Sequence, residues 1–185
     1  MEGGIDIRFP TTVASSVGGA LYAITFRTRV FLQSTTFRLD FGRQDLDGVR
    51  QAASEGDATN VANGRSLSVV SDLQGVPLLG ELSLVPAVIT PNGDGINDEL
   101  TIGLSVFHIE GEKSIRVEIF DLSGRRVRDL TRLQSNPSGD HTFQWDGRDE
   151  SGRLLPPGTY AVRVAFLADG TRGTIARTRI VGLVY

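Results

Sequence analysis

Cysteine is absent from this 185-residue chain. The sequence therefore excludes a disulfide framework, a thiolate zinc site and a cysteine nucleophile, although this absence leaves the cellular compartment open. The chain also lacks a large excess of charge of either sign, because 19 basic and 22 acidic residues give a net charge of -3 and a pI near 5.4. Nucleic-acid phosphates need a basic field, and the arginines here are spread along most of the chain. We therefore predict no nucleic-acid partner.

Long apolar runs are missing as well. No stretch of the sequence approaches the roughly 20 apolar residues of a membrane-spanning helix, so we predict no membrane span. The N-terminal MEGGIDIRFP has neither the basic region nor the apolar core of a signal peptide. If the protein is exported, we expect its export signal to lie outside this chain.

Motifs of common catalytic sites are lacking too. The sequence contains no GxSxG elbow, no HExxH pair, no P-loop and no GxGxxG after a strand. Its two histidines, His108 and His141, lie far apart in the sequence, with no partner pattern around them. We therefore predict that the protein is not an enzyme.

What the sequence does contain is alternation. Short runs of alternating apolar and polar residues recur, separated by Gly, Asp, Asn and Pro, and helical periodicity is almost missing. A period of two is typical of half-buried strands, so the predicted fold class is all-β. With 39% hydrophobic residues the chain can bury two small cores. We predict two β-sandwich domains, over residues 1–81 and 82–185, divided near Pro86.

The first predicted domain has few strands. We predict four of them, over residues 21–32, 37–41, 67–70 and 78–85. Residues 42–63 are polar and acidic and predict a long loop, in which 49–54 could form a helical turn. Because four strands are fewer than a self-sufficient sandwich needs, we predict an incomplete sandwich that packs against upstream sequence or a second copy of the chain.

The second predicted domain has regular strands. We predict seven of them, over residues 82–89, 100–106, 114–120, 125–130, 141–145, 159–167 and 174–184. Seven short strands are typical of an immunoglobulin-like, fibronectin III-like sandwich. Alternation places eight residues in its core: Ile115, Val117, Ile119, Phe143, Trp145, Tyr160, Val162 and Val164. The pair Asp169-Gly170 predicts the hairpin turn between the last two strands.

Three ordered segments resemble one known family. They are ITPNGDGINDEL (89–100), IFDLSGRRVRDL (119–130) and WDGRDESGRLLPPGTYAVRV (145–164). Together they resemble the FlgD-like immunoglobulin-like domain, which is related to the C-terminal domains of gliding-motility-associated and other large bacterial surface proteins. The resemblance covers residues 82–185. It implies a terminal β-sandwich on an exported protein, used for sorting, anchoring or assembly.

From this resemblance we expect a non-catalytic structural or adhesive module of a secreted or cell-surface bacterial protein, within an extracellular assembly or filament. The expected partners are other copies of the chain or neighbouring domains of the same protein. Two alternatives stay open, a C-terminal sorting or anchoring domain for a secretion system and a carbohydrate-binding sandwich. A carbohydrate-binding sandwich needs exposed aromatic residues clustered on one face or loop. Aromatic residues make up only 7% of this chain and mostly fall on predicted core faces, which disfavours the carbohydrate alternative.

One loop, PNGDGINDE (91–99), has the ligand density of a metal site. Calcium prefers several hard oxygen ligands in a tight turn. The predicted ligands are the side chains of Asn92, Asp94 and Asp98 and the carbonyl of Ile96. Thr90 and Thr101, however, stand where an EF-hand loop has acidic ligands. The alternative is a network of Asx-turns, in which the side chains of Asn92, Asp94 and Asn97 bond their own backbone and the glycines provide positive φ angles.

The alternation of strand direction brings three predicted turns, 91–99, 121–124 and 146–158, to one end of the second domain. Their carboxylates would gather there and repel one another unless cations or arginines intervene. These carboxylates belong to Asp94, Asp98, Asp121, Asp146 and Asp149. The arginines nearest in sequence are Arg148 and Arg153. A nearby basic run, Arg125, Arg126 and Arg128, predicts a solvated strand face or a docking patch for an acidic surface polymer.

Overall fold

The computed structural model describes residues 4–9, 23–43, 45, 48–56, 67–167 and 173–185. Their regular structure is entirely β, which confirms the predicted fold class. In chain order the strands are β1 (Ser34–Thr36), β2 (Asp40–Gly42), β3 (Arg50–Ala52), β4 (Ser68–Val70), β5 (Ser83–Val85), β6 (Val88–Ile89), β7 (Leu100–Val106), β8 (Lys113–Asp121), β9 (Arg126–Asp129), β10 (Arg132–Gln134), β11 (Gly139–Trp145), β12 (Gly158–Leu167) and β13 (Thr174–Leu183). The described part of the chain holds no helix long and apolar enough to cross a membrane.

The chain divides into two compact units. An N-terminal unit consists of Met1–Arg29 and Leu39–Leu67, and a C-terminal unit consists of Val30–Arg38 and Ser68–Tyr185. Several residues expected in the first domain therefore belong to the C-terminal unit. Whether residues 1–81 and 82–185 fold as two domains stays a prediction.

In the N-terminal unit, the described regular structure is a short antiparallel pair. Strands β2 and β3 pair with Phe41 opposite Gln51. The helical turn considered over 49–54 is therefore wrong, because this segment contains β3. The strand predicted over 21–32 is also wrong in its described part, since residues 23–31 have no strand structure. Alternating apolar residues show that a segment has one apolar face, but the segment forms a strand only where a neighbouring strand pairs with it.

The C-terminal unit contains two larger sheets. In one, the strand order is β10-β8-β12-β13-β6, and β9 also pairs with β8. In the other, the order is β11-β7-β5. Strand β12 is antiparallel to both of its neighbours, with Val162 opposite Ile119 of β8 and opposite Arg179 of β13. Strands β1 and β4 of this unit form a separate antiparallel pair.

The apolar faces of these two sheets share one core. All eight predicted core residues are buried, and none is more than 5% exposed. Trp145 is 1% exposed, and its ring meets that of Tyr160 edge-on with 5.6 Å between centroids. The core prediction is confirmed because each of these strands has one face against the opposite sheet.

The seven predicted strands of this unit are all present, with two differences. The segment predicted as one strand over 82–89 is split by Pro86 and Ala87. Strand β5 pairs with β7 in the smaller sheet, whereas β6 pairs with β13 in the larger one. The short strand β10 was not predicted. The turn predicted at Asp169-Gly170 lies outside the described residues.

Candidate functional site

Three turns lie together at one end of the sandwich, as the alternation of strand direction predicted. The backbone of Gly147 packs against the first turn, so closely that a Cβ there would lie 3.1 Å from Cγ of Pro91. Arg125 of the second turn and Arg153 of the third line the same surface depression. This end of the domain is the candidate functional site.

The first turn is closed by its own carboxylates. The N–H groups of Gly93 and Gly95 donate to Oδ1 and Oδ2 of Asp98, at 2.9 and 2.8 Å. These two bonds lower the pKa of Asp98 below its usual range. Asp94 Oδ1 accepts the N–H of Ile96 at 2.7 Å. The turn is therefore a network of side-chain to backbone bonds, the kind of arrangement considered as the alternative to calcium, with Asp98 in the role expected for Asn97.

The four predicted calcium ligands all belong to this network. Asn92 Oδ1 accepts the N–H of Asp94 at 2.9 Å, and Thr90 Oγ1 donates to the carbonyl of Ile96 at 3.1 Å. Asp94 and Asp98 supply the remaining acceptors. Among the described residues, no three His, Asp or Glu side chains lie close enough together to hold a metal ion. Calcium binding by Asn92, Asp94, Ile96 and Asp98 stays a prediction.

The second and third turns are two copies of one motif. The sequence D-x-S-G-R occurs at 121–125 as DLSGR and at 149–153 as DESGR. We call them the twin turns. In each, the aspartate Oδ1 accepts the serine N–H, at 3.0 and 2.9 Å, and the serine hydroxyl, at 2.5 and 2.6 Å. It also accepts the N–H of the arginine, at 3.1 and 3.0 Å. Gly124 and Gly152 turn the chain with φ of +85° and +80°.

The arginine side chains complete the twin turns. Arg125 Nε donates to Asp121 Oδ2 at 3.0 Å, and Arg153 Nε donates to Asp149 Oδ2 at 3.3 Å. In each pair the arginine lies outside and the carboxylate inside. The side chains of Arg125 and Arg153 are 73% and 82% exposed, whereas those of Asp121 and Asp149 are 23% and 19% exposed. The twin turns therefore present cations to solvent over shielded anions.

Both carboxylates are held ionised. The Ser123 hydroxyl, and after it the Arg125 guanidinium, lower the pKa of Asp121 to about 2. The Ser151 hydroxyl, together with backbone N–H groups, lowers the pKa of Asp149 to about 2. A general acid needs a pKa raised toward neutral pH, so these two carboxylates lack the property that acid catalysis requires.

Local arginines pair with three of the five carboxylates that were expected to gather here, which was one of the two predicted solutions. Arg153 pairs with Asp149, and Arg148 Nε lies 3.6 Å from Asp146 Oδ2. Sequence reasoning did not identify the pairing of Arg125 with Asp121. The repeated D-x-S-G-R spacing was the signal that could have found it, because all of its bonds join residues at most four positions apart.

The third turn also covers the edge of β9. Arg128 Nη1 donates to the carbonyl of Asp149 at 2.8 Å. The N–H of Glu150 donates to the carbonyl of Val127 at 3.2 Å, and Glu150 Oε1 accepts the N–H of Asp129. Arg128 is half-buried beneath this turn and does not belong to a solvated strand face, which corrects that part of the prediction.

An open depression of about 500 Å³ lies between the twin turns. Its charged and polar lining comes from Arg125, Arg126, Asp149, Glu150, Ser151 and Arg153, and its apolar lining from Val127, Leu154, Leu155 and Pro156. Two tyrosine hydroxyls hold the apolar part of this lining in place. Tyr160 Oη donates to the carbonyl of Pro156 at 2.7 Å, and Tyr185 Oη donates to that of Leu155.

Comparisons with known proteins agree with this fold. Residues 98–170 match the family model described as "FlgD Ig-like domain". The basal-body rod modification protein FlgD of Salmonella typhimurium is 29% identical over 103 residues, which are 54% of this chain and 44% of that protein. The same protein of Salmonella typhi matches equally. The match thus spans less than half of these relatives.

Solved structures give partial superpositions. FlgD from P. aeruginosa is 26% identical with a TM-score of 0.36, covering 46% of this chain and 61% of that one. Dimeric latent PorU from Porphyromonas gingivalis is 20% identical with a TM-score of 0.44, covering 72% and 13%. PorZ, a surface component of the type-IX secretion system of that organism, is 18% identical with a TM-score of 0.34, covering 56% and 11%. Scores this low add nothing to the fold seen in the strands and core. The family match and the curated relatives thus show that the C-terminal part of this chain, over residues 98–170, is similar to the FlgD Ig-like domain.

Proposed function

We propose that the chain is a non-catalytic structural or adhesive module of a secreted or cell-surface bacterial protein, within an extracellular assembly or filament. The observation that carries this proposal is the FlgD-like domain at residues 98–170. The curated relatives are named for modification of the basal-body rod. A domain of this kind suits a building block better than an enzyme.

The site geometry supports the same role. The carboxylates of the twin turns are occupied by their own serines and arginines, with pKa values of about 2. His141 Nε2 is bonded to the carbonyl of Pro137 at 2.6 Å. The turns are thus locked by bonds inside the domain, which gives a rigid end for contact with a neighbouring domain or a second copy.

Cell fractionation tests this proposal. We would follow the protein with an antibody against the C-terminal unit, on intact and on lysed cells of the native host. Protease treatment of intact cells should remove the signal. A protein found only after lysis would contradict the proposed location, and one found outside as a soluble monomer would contradict the assembly.

The sorting alternative predicts a different fate for the same segment. A sorting domain that is removed after export would be missing from the mature surface protein. Mass spectrometry of the surface fraction should therefore detect peptides from β8 and β12 if the module is a mature structural part. Their absence, with upstream peptides present, would favour sorting.

A further inference from the structure

The cationic surface of the twin turns extends to a third arginine. Arg126 is 50% exposed, and its Nη1 lies 2.9 Å from Oε1 of Glu118, whose side chain is only 13% exposed. The same order of charge, a cation outside and an anion inside, therefore occurs three times around the depression. Three guanidinium groups therefore face solvent around the depression, together with the exposed acid Glu150, although the net charge of the chain is negative.

These guanidinium groups keep donors available. A guanidinium has about five N–H donors in a planar fork that matches a carboxylate. Arg125 uses its Nε on Asp121, and Arg153 uses Nε and Nη2 on Asp149. Within the part of the chain that the structure describes, the remaining donors of these two side chains have no protein acceptor. Because the aspartates hold the side chains in place, little conformational entropy is lost when a ligand binds.

The floor of the depression is apolar. Val127 and Leu155 are 5% and 6% exposed, and Pro156 and Leu154 complete the surface. Tyr185 is anchored through its hydroxyl to the carbonyl of Leu155 and remains 61% exposed. A rim with three guanidinium groups around an apolar floor suits a ligand with one anionic group and one apolar face.

We propose that this depression binds a carboxylate-bearing saccharide, such as a uronate unit of an acidic polysaccharide. Its carboxylate lies between the guanidinium groups of Arg125 and Arg153, and the C–H face of its ring packs on the apolar floor. The site belongs to the C-terminal unit alone, so the proposal does not depend on where the protein is located.

An acidic peptide fits this place less well. An extended peptide binds a strand edge mainly through main-chain hydrogen bonds. At β9 those positions are already used, because Glu150 bonds both the carbonyl of Val127 and the N–H of Asp129. The depression therefore offers side-chain donors and apolar surface, but not this strand edge.

Calorimetric titration of the full chain tests the proposal, with oligogalacturonate as the probe and maltohexaose as the neutral control. We expect oligogalacturonate to bind, more weakly as salt is raised. The double variant Arg125→Gln/Arg153→Gln should lose at least about tenfold in affinity, because charge-assisted hydrogen bonds are removed. Arg177→Gln on β13 removes the same charge outside the depression and should bind like the wild type.

Two further variants separate charge, geometry and folding. Glu150→Gln removes the exposed acid of the rim while keeping an acceptor for Asp129, and should raise the affinity. Arg125→Lys/Arg153→Lys keeps the charge without the planar fork, and should bind between the wild type and the glutamine variant. It also provides a folded protein, checked by its melting curve, if the glutamine variant does not fold.

Several results would overturn the proposal. They are no binding of oligogalacturonate by the wild type, equal binding of maltohexaose, and equal loss of affinity in Arg177→Gln. Poly-glutamate that binds as tightly as oligogalacturonate would show that the site recognises carboxylates on a peptide as readily as on a sugar, and would also overturn it.

Discussion

Asp121 and Asp149 each accept hydrogen bonds from two residues of their own turn, the serine two positions on and the arginine four positions on. Such a carboxylate replaces the missing backbone partners of a tight turn, so the turn keeps one conformation. Because the bonds favour the ionised form, the carboxylate also makes the stability of the domain depend on pH.

The first prediction concerns that dependence. Each folded-state pKa, about 2, lies below the ordinary value of 3.8. A lowered pKa stabilises the fold fully above the ordinary value, and the stabilisation is lost as pH falls toward the folded-state value. Asp121→Asn/Asp149→Asn should therefore lower the melting temperature at neutral pH, and should lose less than the wild type between these two pH values.

Thermal melts over a pH series check this prediction. Glu112→Gln, which removes an acid of the loop before β8, is the control and should keep the wild-type profile. Parallel profiles for the wild type and the double variant would show that these two carboxylates do not carry the acid sensitivity.

Among the turns, two glycines with similar backbone angles differ in their surroundings. Gly147 has φ of +74°, and a Cβ there would lie 2.9 Å from Cδ1 of Leu183 and 3.1 Å from Cγ of Pro91. Gly152 has φ of +80°, with nothing within 4 Å of such a Cβ. The two positions therefore separate backbone strain from overpacking.

We predict that Gly152→Ala costs about 1–2 kcal/mol, the strain of a side chain in the left-handed region. Gly147→Ala should cost about 1–3 kcal/mol more, because it also forces apart the first turn and β13. Urea unfolding of both variants measures the difference. Equal losses would mean that the contact between Gly147 and Pro91 is not tight in solution.

The loop over 91–99 supplies the third prediction. Asp98→Asn should lower the melting temperature, because two backbone N–H groups lose a charged acceptor. If calcium binds, adding it should raise the melting temperature of the wild type and not of the variant, since a ligand that binds only the folded state stabilises it. Wild-type melting curves that coincide in calcium and in chelator would rule out a calcium site that stabilises the fold and leave the hydrogen-bond network as the account of this loop.

At the level of elements, sequence reasoning succeeded where a strand has one face on the shared core. The strand predicted over 100–106 has the bounds of β7, because its alternation is imposed by burial. Sequence reasoning failed where the structure of a segment depends on pairing with a strand that is distant in the sequence. Strand β6 exists by parallel pairing with β13, nearly a hundred residues away, and the residues over 23–31 have no strand structure.

The candidate site divides in the same way. The turn networks depend on residues at most a few positions apart, and the Asx-turn network over 91–99 was anticipated as an alternative. The depression was not, because it combines Val127 of β9 with Leu155 of a later loop. No periodicity in either segment indicates that the two meet.

At the scale of the whole molecule, residues just before the predicted boundary at 82 contribute to the sandwich core. Leu79 is 0% exposed and forms an isolated bridge with Val106. Next to it, the N–H of Gly80 donates to the carbonyl of Ser105 at 2.8 Å, and the N–H of Phe107 donates to that of Leu78 at 2.9 Å. The segment before residue 82 thus continues the pairing of β5 with β7 and fills part of the core.

The last prediction follows from that continuity. Leu79→Ala should cost about 2–5 kcal/mol, the usual range for a fully buried leucine, because it removes apolar contacts and leaves a cavity. Leu133→Ala is the matched control, since Leu133 is 61% exposed and its loss should change stability by less than about 0.5 kcal/mol. A fragment of residues 77–185 should likewise be more stable than one of residues 82–185. Urea unfolding measures all four proteins. If Leu79→Ala costs no more than Leu133→Ala and the two fragments unfold together, the sandwich begins at residue 82, where the sequence placed it.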